Sequence, residues 1–241
     1  MNDTGKKLSV EIWSDVMCPF CYIGKRRFEA ALAQFQHKND IEVTWKSFQL
    51  NPNMITNTNV SVTENLAKSK GWTIEYAREM NSYVTNMAAG VGLSFDFNKA
   101  VVANSFNAHR LLQFAKTKGK GNELKELLLK AYFTDGKNTD DNEILIQLGQ
   151  FAGLQIDEVE AVVNDRNSFA NAVQIDVQQS RALGINGVPF FLFNKKQTIS
   201  GAQEIPFFLN ALEKAYGEWK GSESTFSFGK IVGPSTIVQA E

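Results

Sequence analysis

The chain has 241 residues, of which 43% are hydrophobic and 21% are charged, and its formal net charge is −1. This composition is typical of a globular protein long enough for one large domain, or for a domain that carries an insertion. A charge so close to zero gives no general attraction to nucleic acids or to anionic membranes, so neither is an expected partner.

The first seven residues lead almost directly into a strand pattern and contain no apolar stretch of signal-peptide length. No later run approaches the length of a membrane span. We therefore expect a cytoplasmic protein, in which cysteines stay mostly reduced.

The first two predicted elements flank the only two cysteines of the chain. Residues 8–13 alternate between apolar and polar side chains, which predicts a strand. Helical spacing then follows in the apolar residues Phe28, Ala31, Leu32 and Phe35. A strand that leads into Cys18-Pro19-Phe20-Cys21 at the start of a helix indicates a thioredoxin-like redox dithiol.

The expected position of the dithiol has a chemical consequence. Unpaired backbone N–H groups and the helix dipole favour a thiolate on Cys18 at a helix start. Cys21 lies about one turn further on and can reach back to close a disulfide.

Two other interpretations of the cysteines are weaker. A zinc site needs about four ligands, but the chain has no second cysteine pair, and His37 and His109 lie outside any usual finger spacing. We therefore expect no metal. A purely structural disulfide across so short a loop would stabilise the fold by only about 2 kcal/mol.

The remaining elements alternate between sheet and helix patterns. Residues 41–46 predict a second strand, and residues 62–165 show helical patterns without a convincing strand. After another helix, residues 190–193 and 197–200 predict an antiparallel hairpin. A last amphipathic helix is indicated by an apolar stripe of Phe207, Phe208, Ala211, Leu212 and Ala215.

This order, β-α-β, a helical block and then α-β-β-α, predicts an α/β protein with a thioredoxin fold interrupted by an all-helical insertion. We assign residues 8–60 and 166–217 to a discontinuous thioredoxin-like domain and residues 61–165 to the insertion. Residues 218–241 form a C-terminal tail for which three roles remain open: packing on the domain, a dimer contact, or mobility.

Five segments in this order resemble the DsbA family, and within it the FrnE-like branch of cytoplasmic members. The resemblance runs from about Leu8 to Tyr216. Its carriers are residues 14–24 (SDVMCPFCYIG), 48–52 (FQLNP), 104–110 (NSFNAHR), 184–189 (GINGVP) and 200–203 (SGAQ).

The resemblance implies a dithiol–disulfide oxidoreductase in which Cys18 is the attacking thiol and Cys21 the resolving thiol. It also implies a cis peptide bond between Val188 and Pro189 beside the cysteines, which leaves the Val188 backbone free to pair with an incoming peptide. Pro189 directly precedes a predicted strand, a position where a residue without an N–H is tolerated.

The same resemblance bears on substrates and redox poise. It places Pro19 and Phe20 beside a protein or small-molecule thiol or disulfide, requires no cofactor, and leaves glutathione open as a redox partner. Strongly oxidising family members have a histidine at the position of Phe20. Because phenylalanine has no donor for the thiolate, we predict a less stabilised thiolate and a less oxidising pair.

Other residues are candidates for tuning the site or lining its cleft. Asp15 shuttles protons or raises the thiol pKa as a nearby negative charge, or it is a loop or cap aspartate. His109 donates to Cys18 or to a bound substrate, or it is a satisfied structural histidine. Gln203, near the start of the last helix, is a further candidate for lining the site.

Two alternative functions remain. Kappa-class glutathione transferases and 2-hydroxychromene-2-carboxylate isomerases share this insertion topology and bind glutathione, for which Asn51 and the Val188 backbone are the candidate contacts. These enzymes typically have a serine at the position of Cys18. The second alternative is a chaperone module that holds unfolded peptides and in which the dithiol is incidental.

Overall fold

The computed structural model describes residues 6–228, with side chains for residues 6–221. Its strands are β1 (Leu8–Ser14), β2 (Ile41–Ser47), β3 (Asn57–Ser61), β4 (Val101–Val102), β5 (Phe190–Phe193) and β6 (Gln197–Ser200). Its helices are α1 (Pro19–Gln34), α2 (Val62–Lys70), α3 (Ile74–Ala89), α4 (Phe106–Thr117), α5 (Gly121–Phe133), α6 (Asn142–Phe151), α7 (Ile156–Asn164), α8 (Ala170–Ala182) and α9 (Ile205–Phe228).

Four strands form a mixed sheet in the order β2-β1-β5-β6. β1 pairs in parallel with β2, from Leu8 opposite Ile41 to Ser14 opposite Ser47. β1 pairs with β5 in the antiparallel direction, and β5 and β6 form the predicted hairpin. The β-α-β unit followed by α-β-β-α is a thioredoxin fold, so the predicted fold class is confirmed.

The sheet and its covering helices enclose an aromatic cluster. The Phe28 ring of α1 packs against Phe191 and Phe193 of β5 and against Phe208 of α9, with ring centroids 5.5, 6.3 and 5.9 Å away. All four side chains are buried. This packing fixes α1, and with it the cysteines at its start, against the central strands.

The segment between residues 61 and 165 differs from the sequence prediction in one respect. It contains α2 to α7, but also β4, which pairs in the antiparallel direction with β3. β3 is polar and mostly exposed, and β4 has only two residues, so neither strand shows an apolar alternation in the sequence. The prediction that this segment contains no strand was therefore wrong.

The last helix also departs from the prediction. α9 continues to Phe228 and passes through position 218, where the tail was expected to begin. Trp219 is buried with the main core, whereas Phe207, predicted to lie in the apolar stripe, is 60% exposed. The rest of the predicted tail, residues 229–241, lies outside the described residues. Along the described part of the chain, no helix combines the length and apolarity needed to span a membrane.

Candidate active site

Cys18 is the N-cap residue of α1, and Pro19 occupies the first position of the helix. Proline suits that position because its missing N–H would have no partner inside the helix. The Cys18 N–H donates to the Asp15 carbonyl at 3.3 Å, and the Cys21 N–H donates to the Cys18 carbonyl at 3.0 Å. These bonds bring the two reduced cysteines to within 3.5 Å of each other.

The loop before β5 reaches the same point. Its Val188–Pro189 peptide bond is cis, and the Cys18 thiol donates to the Val188 carbonyl with 3.4 Å between sulfur and oxygen. The Pro189 carbonyl accepts from the Gly201 N–H at 2.8 Å, which ties this loop to the end of β6. Cys18 therefore lies between the helix start and the proline loop.

Gly24 allows α1 to approach the proline loop. A Cβ atom at this position would lie 2.8 Å from the Pro189 Cγ and 3.5 Å from Ala202. We expect Gly24→Ala to displace the loop from Cys18 and to lower the free energy of unfolding by about 1–3 kcal/mol, as overpacking does. Urea unfolding measures the stability, and the rate of thiol exchange reports the displacement.

The matched control for this prediction is Gly217→Ala in α9. A Cβ atom there meets nothing within 4 Å, so alanine should stabilise the helix by roughly 0.5–1 kcal/mol. Equal stabilisation of the two alanine variants would show that the contact between Gly24 and Pro189 leaves room for a Cβ atom, against the prediction.

Asp15 and His109 form a buried pair beneath the helix start. The Asp15 carboxylate accepts from the Leu50 N–H at 2.8 Å, from the Met17 N–H at 3.4 Å and from His109 Nε2 at 3.2 Å. Burial raises the pKa of Asp15, but the bond from His109 and the other donors outweigh it, so the net pKa is lowered. The negative charge of Asp15 also raises the pKa of Cys18. His109 is fully buried and contacts Asp15, not Cys18.

The two thiols ionise as a pair. The hydrogen bond with Cys21, and then burial, raise the pKa of Cys18 well above its ordinary value. Burial also raises the pKa of Cys21, but the bond from Cys18 and the charge of Lys125 outweigh it, so the net pKa is lowered. The two thiols therefore share the first negative charge and titrate together, not as independent groups. The charge of Asp15 raises the pKa of Cys18, whereas the charge of Lys125 lowers the pKa of Cys21. The Cys18 thiolate stays a prediction.

Sequence reasoning missed Lys125. Its side chain is fully buried, and burial lowers its pKa to about 8 although Cys21 and Asp15 favour the ammonium. A signal existed, because Lys125 shares helical spacing with Leu128, Leu129 and Tyr132, all of which are buried. A lysine inside an otherwise apolar stripe indicates a charge in the core.

A cleft of about 380 Å³ lies beside the helix start. Its lining includes Asp15, Pro19 and Asn51. Most of the lining surface is apolar, and Leu50, Met54 and Phe97 contribute to it. Phe20 is 38% exposed near the same helix end. The Asn51 side chain accepts from the Asn53 N–H at 3.1 Å, within its own turn.

Gln203 does not line this cleft. Its side chain is exposed and donates to the Ser200 carbonyl at 3.0 Å. Of the predicted site residues, the structure thus brings Cys18, Cys21, Val188, Pro189 and Asp15 together, with His109 behind Asp15. Among the described residues, no group of three or more histidine, cysteine or acidic side chains has the arrangement of a metal site.

A C-x-x-C at a helix start, facing a cis-proline loop on a thioredoxin fold, defines the class of thioredoxin-like dithiol proteins. The model of the DSBA-like thioredoxin domain matches residues 9–213. The chain therefore belongs to the DsbA-like family.

Similar proteins agree with this assignment. The structure of a probable DsbA oxidoreductase from Streptomyces coelicolor is 34% identical with a TM-score of 0.83, covering 97% of this chain and 94% of that one. The cytosolic disulfide reductase DsbM from Pseudomonas aeruginosa shares the fold, with 17% identity, a TM-score of 0.61 and coverage of 86% and 98%; it has also been solved with GSH. The uncharacterized Bacillus subtilis protein YwbO is 28% identical over 146 residues, which span 60% of this chain and 66% of that protein, just under two thirds.

Proposed function

We propose that the protein exchanges disulfides with thiol substrates through Cys18 and Cys21. The observation that carries this proposal is the reduced pair at the start of α1, 3.5 Å apart, with the Cys18 thiol bonded to the Val188 carbonyl beside a cis proline. Membership of the DsbA-like family supports the same chemistry.

In the first step, the Cys18 sulfur attacks a substrate disulfide. A bond forms between Cys18 and one substrate sulfur, the substrate S–S bond breaks, and the other sulfur leaves as a thiolate with the bonding electron pair. The two sulfurs lie 3.5 Å apart and share one proton, which stays on Cys21 while the Cys18 thiolate attacks. The Val188 carbonyl then loses its thiol partner and is free to accept from the bound substrate.

In the second step, Cys21 attacks Cys18. The intramolecular disulfide forms, the mixed disulfide breaks, and the second substrate sulfur leaves as a thiolate. Two electrons have moved from the protein to the substrate, and the reverse sequence oxidises a dithiol. No cofactor takes part in either step.

The cleft beside the helix start suits a peptide or a small thiol compound such as glutathione. Support for glutathione is the DsbM structure solved with GSH, which shares the fold. The fold shared with a cytosolic reductase also supports a cytoplasmic location. Two further proposals accompany these: residues 8–60 and 166–217 form the redox domain, and residues 61–165 form an insertion domain that lines one side of the cleft.

The test is a redox titration with reduced and oxidised glutathione, read by thiol alkylation and mass, with Cys18→Ser as the control. We expect one reversible two-electron transition in the wild type and none in the control. Phe20 offers no donor to a thiolate. The reduction potential of the pair should therefore be more negative than that of DsbA, which is about −120 mV.

Other results would point to the alternatives. Bound glutathione without any intramolecular disulfide would place the protein among the glutathione-dependent isomerases or transferases. Suppression of aggregation that survives replacement of both cysteines by serine would indicate the chaperone module.

A further inference from the structure

Two contacts of α5 fix the position of Lys125 against α1 and β2. Glu126, the next residue, accepts from the Tyr22 hydroxyl at 2.5 Å and from Lys25 Nζ at 2.7 Å, which joins α5 to α1. Asn122 accepts from Trp45 Nε1 at 3.2 Å, which joins α5 to β2. Lys125 lies between these two contacts and is fully buried.

The ammonium group of Lys125 has no hydrogen-bond partner among the described residues. Its Nζ lies 5.7 Å from the centre of the Trp45 ring. The only other buried lysine of α1 and α5, Lys25, is paired with Glu29 at 2.6 Å and with Glu126 at 2.7 Å. An unpaired buried ammonium is costly, so this amine releases its proton readily unless a negative charge lies nearby.

The groups that face Lys125 come from three elements. Cys18 and Cys21 at the start of α1, and Asp15 in the loop before it, favour the charged amine, whereas Lys25 of α1 disfavours it. The Trp45 ring faces it from β2. The charge that changes during thiol exchange is that of the cysteines, so the proton of Lys125 is coupled to the reaction.

We propose that Lys125 accepts the proton of Cys21 when Cys21 resolves the mixed disulfide, and returns it when the intramolecular disulfide is opened. This inference rests on the proposed function. After the first step Cys21 is a neutral thiol and no longer offers a negative charge to the buried ammonium, so Lys125 gives its proton to the first substrate thiolate, which leaves as a thiol. The neutral amine then accepts the proton of the Cys21 thiol, and the resulting thiolate attacks Cys18 and expels the substrate thiolate.

Ser14 completes the surroundings of Cys21. Its hydroxyl is buried without another hydrogen-bond partner among the described residues and helps to lower the pKa of Cys21. The thiolate that Lys125 generates therefore has a hydroxyl donor on the side of β1. In the reverse direction, Cys21 leaves as a thiolate that the same ammonium stabilises.

The test separates the two steps by using oxidised glutathione as the substrate. Reduced protein is mixed with it, quenched with acid, alkylated and analysed by mass, so that the Cys18–glutathione adduct and the intramolecular disulfide are both counted between pH 6 and pH 10. A neighbouring positive charge lowers the pKa of an acid, here the Cys21 thiol, by about 1–3 pH units. We therefore expect Lys125→Met to slow conversion of the adduct at pH 7 by about tenfold or more, with the difference narrowing towards pH 10.

The matched control is Lys130→Met, which removes an exposed lysine of the same helix that is paired with Asp135 and is not among the charges acting on Lys125. This variant should leave the pH profile unchanged. Lys125→Gln provides a second variant should Lys125→Met not fold. A wild-type profile in Lys125→Met, or slowing by the same factor at every pH in both Lys125 variants, would overturn the proposal. Absence of both the adduct and the intramolecular disulfide in the wild type would instead contradict the proposed function.

Discussion

Replacement of Cys21 by serine is expected to convert turnover into a single covalent capture. Cys18 of this variant should still attack a disulfide, but no second thiol lies within reach to release the adduct. With oxidised glutathione, the product should be one stable adduct on Cys18, and steady-state exchange should fall by about 100-fold or more, as expected when an attacking nucleophile is removed. Intact mass under non-reducing conditions, followed by peptide mapping, measures both the number and the position of adducts.

The control for this capture is Cys18→Ser. Both sulfurs are buried, but Cys21 lies one turn inside α1, whereas Cys18 is the N-cap residue beside the Val188 carbonyl. Cys18→Ser should therefore capture almost no glutathione. Equal capture by the two single variants would show that the cysteines do not have distinct attacking and resolving roles.

The second large effect is an increase in stability. Lys125→Met should raise the free energy of unfolding at pH 7 by about 2 kcal/mol. A pKa lowered from 10.5 to about 8 corresponds to about 3 kcal/mol lost by the folded protein in keeping this ammonium buried. Loss of the contact with the Trp45 ring offsets about 1 kcal/mol of the gain. Chemical unfolding of the reduced protein measures the difference.

The sign of the pH dependence follows from linkage. Because the folded pKa of Lys125 lies below the unfolded value, the unfolded chain binds more protons between pH 8 and pH 10.5, and the stability of the wild type rises with pH there. The destabilisation is fully present below pH 8 and is lost as the pH rises to 10.5. The difference in free energy of unfolding between Lys125→Met and the wild type should therefore be constant below pH 8 and decrease above it.

Lys25→Met should behave in the opposite way. Lys25 is also buried but is paired with Glu29 and Glu126, so its removal leaves carboxylates with fewer partners and lowers stability.

The disulfide form of Lys125→Met should gain more stability than the reduced form, because no thiolate then offsets the wild-type ammonium. If Lys125→Met were less stable than the wild type at pH 7, the packing of the lysine would outweigh its desolvation.

Much of the fold was predictable because it depends on local patterns. β5 and β6 were predicted with their observed bounds, since a short apolar run, a turn and a second strand lie together in the chain. β3 and β4 were not predicted, because their pairing joins backbone groups of residues some forty positions apart without an apolar pattern. Phe207 was predicted to be buried but is exposed. It lies at the edge of the apolar stripe of α9, and only the packing of the helix decides which edge of the stripe is buried.

The sequence by itself determined where the dithiol lies. Cys18, Pro19 and Cys21 are neighbours in the chain, and proline at the first helical position sets the helix start, so no distant contact is needed to place the two sulfurs together. Only the tertiary structure decided which charges act on the two sulfurs. Lys125 and the pair of Asp15 with His109 reach the cysteines from α5, the β1–α1 loop and α4. Electrostatic effects depend on distance and burial in space, and neither can be read from positions in the chain before these helices pack.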